Sequence, residues 1–134
     1  MNLPYLIDFP EFNTEHKGSL SFCQSGLIPF EVKRIYWVYN IQYETTRGGH
    51  AHVDDEQVLI CVSGKTQLRI INRLKNEFHF MLDKPTKGVY IPKMMWREIV
   101  LSPGSVLLSL ASTLYEPKDY IRNLDDFFKK PILH

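Results

Sequence analysis

Arg47-Gly48-Gly49-His50-Ala51-His52, followed by Glu56 and the apolar residues 58–62, is the stretch on which the fold turns. Side chains on a β-strand alternate between its two faces, so histidines two residues apart project from the same face. The run after them is short, rich in β-branched residues and closed by Ser63-Gly64-Lys65. Those features suit a buried strand better than a helix.

Strand signals continue on both sides. Residues 20–24 form a short candidate, and residues 30–41 form the clearest strand because β-branched and aromatic side chains crowd it. Residues 42–49 are polar and contain Gly48 and Gly49, which predicts a loop. Strands are expected over 51–53 and 56–62, then a tight turn at 63–65, then an alternating strand over 66–72. Residues 78–82 supply a hairpin arm, 88–92 and 96–101 flank a proline kink, and Ser102-Pro103-Gly104 turns the chain into 105–112. Only the tail has helical spacing, with Tyr120, Leu124 and Phe127 or Phe128 on one face of 118–129. Asp119 or Pro117 would open that helix and Pro131 would end it. About nine strands and one short C-terminal helix predict an all-β barrel or sandwich.

The chain has 134 residues, 44% of them hydrophobic, which predicts one globular domain over 1–134. A formal net charge of +1 argues against nucleic acid or a membrane surface as partner. It leaves room for a small anion held by a local group of arginines. Cys23 and Cys61 lack motif spacing and read as buried thiols in a reducing compartment. The first residues lack the features of a signal peptide, and no apolar run is long enough to span a bilayer. A cytoplasmic location is the expectation.

The row His50, His52, Glu56 resembles the first motif of the cupins, a His-x-His followed by Glu. In metal cupins these side chains, with one histidine of a second motif, hold iron or manganese. Here the second motif would fall on residues 88–97, and its ligand position is Arg97. A permanently protonated guanidinium cannot ligate a metal. Seven residues separate Glu56 from Gly64, one more than the cupin pattern has. His16 lies in a loop, His79 at an alternating strand position and His134 at the last position. No metal ligand is therefore assigned. Two readings of the pair remain: structural barrel histidines, or an acid–base pair whose protonation the neighbouring Arg47 disfavours.

Five blocks carry a more specific resemblance: residues 29–36, residues 47–52, residues 56–59, Tyr90-Ile91-Pro92 with Trp96-Arg97-Glu98, and Tyr115-Glu116 through Asp119-Tyr120-Ile121-Arg122. In this order and spacing they resemble the sugar 3,4-ketoisomerase family, cupin enzymes that act on dTDP-4-keto-6-deoxy-hexoses on the way to 3-amino-3,6-dideoxy sugars. The resemblance runs over about residues 18–128. It implies a double-stranded β-helix (the jelly-roll barrel), no cofactor, and a homodimer with exchanged N-terminal strands. It implies an isomerase that moves a carbonyl from sugar C4 to C3 through an enediol. His52 is the implied base and His50 its partner, passing a proton to C4. Arg34, Arg47, Arg97 and Arg122 are the candidates for holding the dTDP-linked substrate's pyrophosphate. Tyr36 and Tyr39 are candidates for contact with thymine or the sugar, and they face opposite ways on a regular strand. His16, Lys17 and Arg97 are candidates for setting which face of C4 receives its proton. The alternatives are a metal-dependent cupin enzyme and a non-catalytic nucleotide-sugar binding module.

Overall fold

Short alternating segments build two five-stranded antiparallel sheets in a computed structural model that describes residues 2–131. His134 lies outside the described residues. In one sheet, β1 (Tyr5–Asp8) pairs with β9 (Lys87–Ile91), followed by β6 (Gln57–Ser63), β11 (Val106–Ala111) and β4 (Arg34–Val38). The other runs β12 (Tyr120–Ile121), β5 (Thr45–His52), β10 (Trp96–Leu101), β7 (Thr66–Ile71) and β8 (Glu77–Leu82). β2 (Glu11–Thr14) and β3 (Gly18–Ser21) form a separate two-stranded ribbon. The two sheets make the jelly-roll barrel of a cupin.

Alternation explains the layers. Leu59 and Cys61 of β6, Leu68 and Ile70 of β7, Val89 and Ile91 of β9, and Ile99 and Leu101 of β10 meet between the sheets. Val58 and Ile60, on the opposite face of β6, pack with Ile7, Phe9, Ile28 and Leu110. Ala51, between the two histidines of β5, faces the other way and packs with Trp96, Ile121 and Phe127 of helix α1 (Leu124–Lys129). The histidines are thereby turned to the barrel interior. Cys61 is buried and Cys23 half-buried, both as free thiols. Among the described residues no helix is long and apolar enough to cross a membrane.

Four expectations need correction. Residues 45–49 are not loop but the first part of β5. Arg97 of β10 pairs with His50 and Glu98 with Gly48, so Gly49 is an extra residue, a β-bulge. Gly48 and Gly49 have φ of 88° and 68°, so these glycines mark a bulge rather than a turn. The tail helix begins six residues later than expected, because Asn123 caps it by accepting from the Asp126 N–H. Ahead of it, Pro117–Asp119 is a 3₁₀ turn, and Tyr120 and Ile121 pair as a strand with His52 and Ala51. The strand expected over 30–41 is confined to Arg34–Val38, and the one over 20–24 lies at Gly18–Ser21. β1, β2 and β12 had no expected strand counterpart, which raises the count from about nine to twelve among the described residues.

Candidate active site

A cavity of about 740 Å³ opens between the sheets. Arg34, Tyr36 and Val38 line it from β4, Arg47, Gly48 and His50 from β5, and Ile99, Leu107 and Ser109 from β10 and β11. Tyr115, Tyr120 and Arg122 close it from the C-terminal segment. The strand periodicity does this: Arg34, Tyr36 and Val38 point inward, while Ile35 and Trp37 are exposed.

His50 faces the cavity and His52 lies behind it, only 1% exposed. Their ring centroids are 4.9 Å apart, edge to face at 88°. Tyr120 packs on both rings. His52 Nδ1 is 2.9 Å from Asp119 Oδ2. That carboxylate also accepts from the backbone N–H of Asp54 at 2.6 Å and of Asp55 at 3.3 Å, so it is held rigidly. Arg97 sits beside His50 on the paired strand and is 1% exposed. It donates to Gln57 Oε1 at 2.8 Å and to the Met95 carbonyl at 3.3 Å. Gln57 Nε2 donates to Asp55 Oδ2 at 2.8 Å, and Arg34 donates to the same oxygen at 3.0 Å. Asp55 Oδ1 accepts from the backbone N–H groups of Ser112 and Thr113, each at 3.0 Å.

These surroundings set the protonation states. Burial, then the Arg97 charge, pushes His50 from its usual 6.5 down to about 3. Burial and Arg97 also push His52 down to about 3, against an opposing pull from Asp55. Both imidazoles are neutral at pH 7. One buried guanidinium, Arg97, and one half-buried, Arg34, stand against two buried carboxylates, Asp55 and Asp119. Arg47 and Arg122 make no ion pair among the described residues and leave the mouth positively charged.

Of the expected site residues, His50, Arg34, Tyr36, Arg47 and Arg122 converge on the cavity. Three do not. His52 is enclosed behind His50, which reverses the expected order of approach to a ligand. Arg97 is also enclosed, with its guanidinium spent on Gln57 and Met95 rather than offered to a pyrophosphate. Tyr39 lies past the end of β4, 65% exposed and outside the lining. Lys17 and His16 are on the exposed turn between β2 and β3, also outside the lining. Glu56 does not join the histidines: just ahead of β6, it accepts from the Tyr90 hydroxyl. Gln57 takes the inward place instead, as the parity of Leu59 and Cys61 demands. Donor atoms of His52, Asp55 and Asp119 do converge within 4.8 Å. Each of those residues is already engaged by a hydrogen bond, and a cation there would compete with Arg34 and Arg97. Asp55, Gln57, Asp119, Tyr115 and Tyr120 were not anticipated as site residues.

The FdtA family, described as "WxcM-like, C-terminal", matches residues 2–131. The TDP-4-oxo-6-deoxy-alpha-D-glucose-3,4-oxoisomerase of Aneurinibacillus thermoaerophilus is 38% identical over 117 residues, covering 86% of this chain and 84% of that protein. A 3,4-ketoisomerase from Helicobacter canadensis superimposes with a TM-score of 0.87 at 38% identity, covering 94% of this chain and 95% of that one. The sugar 3,4-ketoisomerase QdtA from Thermoanaerobacterium thermosaccharolyticum, solved in complex with TDP, superimposes with a TM-score of 0.85 at 36% identity, covering 93% and 91%.

Proposed function

The chain belongs to the FdtA family of sugar 3,4-ketoisomerases, and we propose that its cavity converts a dTDP-4-keto-6-deoxy-hexose to the 3-keto isomer with His50 as the base. One observation carries the assignment of the base. Among the described residues lining the cavity, His50 is the only imidazole, and no carboxylate lines it. The other polar side chains there are arginine, tyrosine and serine, all protonated at neutral pH.

The reaction removes the C3 proton next to the C4 ketone. An enediol forms, O4 gains a proton, O3 loses one, and C4 is protonated to leave the ketone at C3. Neutral His50 accepts the C3 proton, and its imidazolium can return a proton to C4. Tyr120 brings a phenol to the same cavity, suited to donate to an enediolate oxygen, while the one hydroxyl hydrogen of Tyr36 goes to Gln57. The open-mouth arginines Arg47 and Arg122, with Arg34, suit a diphosphate. Its negative charge would raise the basicity of His50 on binding. His52, tied to Asp119, supports His50 from behind.

The direct test is incubation of chelator-treated protein with dTDP-4-keto-6-deoxyglucose in D2O. A 3-keto isomer with deuterium at C4 is expected, and no conversion by folded protein would sink the reading. Exchange of N-terminal strands in a homodimer is also proposed. The β2–β3 ribbon is exposed along its length, with Phe12 and Leu20 about 60% exposed. An isolated two-stranded ribbon is marginal in water, so a second copy is its natural cover. Sedimentation equilibrium is expected to give twice the 15.7 kDa chain mass, and a monomer at micromolar concentration would refute the pairing.

A further inference from the structure

Gln57 is where the buried groups of the site meet. It holds the first inward position of β6 and is 1% exposed. Its Oε1 accepts from Arg97 at 2.8 Å and from the Tyr36 hydroxyl at 3.3 Å. Its Nε2 donates to Asp55 at 2.8 Å and lies 3.5 Å from His52 Nε2. The amide has one permitted orientation. Arg97 offers only donors, so the oxygen must face it and the NH₂ must face Asp55 and His52. An NH₂ cannot accept, so His52 Nε2 is the bare nitrogen. The ring hydrogen is on Nδ1, donated to Asp119.

We propose that Gln57 is a positioning residue for the isomerisation, holding His52 as its neutral Nδ1–H tautomer against His50 and anchoring the Tyr36 hydroxyl at the cavity wall. The role rests on the isomerase reading above. The groups that act on His52 come from every side: Asp119 from the 3₁₀ turn, Asp55 from the β5–β6 connection, Arg97 from β10, Arg34 from β4, Arg122 after β12, His50 from β5 and the Tyr120 ring from β12. A proton on His52 would add positive charge 4.9 Å from the His50 ring and oppose proton uptake by His50. An amide at position 57 disfavours that proton because it has only hydrogens to offer. A carboxylate there reverses the demand. It accepts only, and would stabilise an imidazolium bridged between residue 57 and Asp119.

The test is nitrogen-15 NMR on histidine-labelled protein together with steady-state kinetics of Gln57→Glu. In the wild type, His52 should show one protonated nitrogen, Nδ1, and one bare nitrogen at neutral pH. In Gln57→Glu both nitrogens should be protonated, with kcat about tenfold lower or more and KM within about threefold. A wild-type His52 with its hydrogen on Nε2 overturns the proposal without needing a variant to fold. So does a Gln57→Glu protein with the wild-type tautomer, wild-type kcat, or a defect confined to KM. Wild-type protein that fails to turn over the keto-sugar would instead remove the isomerase reading, while the tautomer would still decide what Gln57 does to His52.

Discussion

His50→Asn is expected to lower kcat by about 10²–10⁴-fold, the usual worth of a positioned general base, while TDP affinity stays within about threefold. Asparagine fills similar space and keeps a polar contact, but it cannot accept a proton from carbon. The guanidiniums suited to the diphosphate, Arg34, Arg47 and Arg122, remain untouched. Isotope exchange at C3 should vanish in step with turnover. His52→Asn should be less damaging, because His52 is screened from the cavity. A greater loss for His52→Asn than for His50→Asn would show that the enclosed ring, not the cavity-facing one, takes the proton. The pH profile supplies an independent check. His50 must be unprotonated to act, and its value lies near 3 rather than 6.5. The kcat/KM profile should therefore stay flat as pH falls through 6.5, and an inflection at 6.5 would contradict the buried, Arg97-facing environment. Stability should behave differently. Below pH 6.5 the unfolded chain takes up protons that folded His50 and His52 refuse, so Tm should fall between pH 6.5 and 3.

Much of this was legible wherever one strand's own pattern decided the outcome. Residues 96–101 were expected as a strand and form β10 residue for residue. The shared face of His50 and His52 followed from parity alone. What stayed hidden depends on relations between strands. A bulge exists only against a partner, so Gly48-Gly49 looked like a loop until Arg97 and Glu98 supplied the register. The Glu56 expectation came from motif likeness, yet Leu59 and Cys61 were core-like and two and four residues on from Gln57, which was a signal for Gln57. Asp119 meets His52 across 67 positions of chain. No local pattern announces such a contact, although Asp119 stood within one of the blocks that carried the family resemblance.

Gly48→Ala should be the most damaging small substitution in the site. A Cβ at Gly48 would lie 2.8 Å from the Arg97 carbonyl oxygen and 3.4 Å from its Cγ. That obstacle is backbone, held in the β5–β10 ladder, and cannot swing aside. The φ of 88° adds a strain that an L-residue bears poorly. Together these should cost about 2–4 kcal/mol, or a Tm lower by roughly 6–15 °C for a chain of this size. Gly49→Ala is the matched control. It also has positive φ, at 68°, but its Cβ would meet nothing within 4 Å, so only about 1–2 kcal/mol of left-handed strain applies. Equal Tm losses for the two variants would mean that the close approach to Arg97 is unimportant. A larger loss for Gly48→Ala, with kcat reduced even at temperatures where the variant is fully folded, would show the bulge acting on chemistry. The strain at Gly48 is released either by moving His50, two residues along the strand, or by moving Arg97, whose charge helps keep His50 unprotonated. The two routes separate by pH: displacement of Arg97 should raise the acid limb of kcat/KM towards 6.5, whereas displacement of His50 alone should lower kcat without moving that limb.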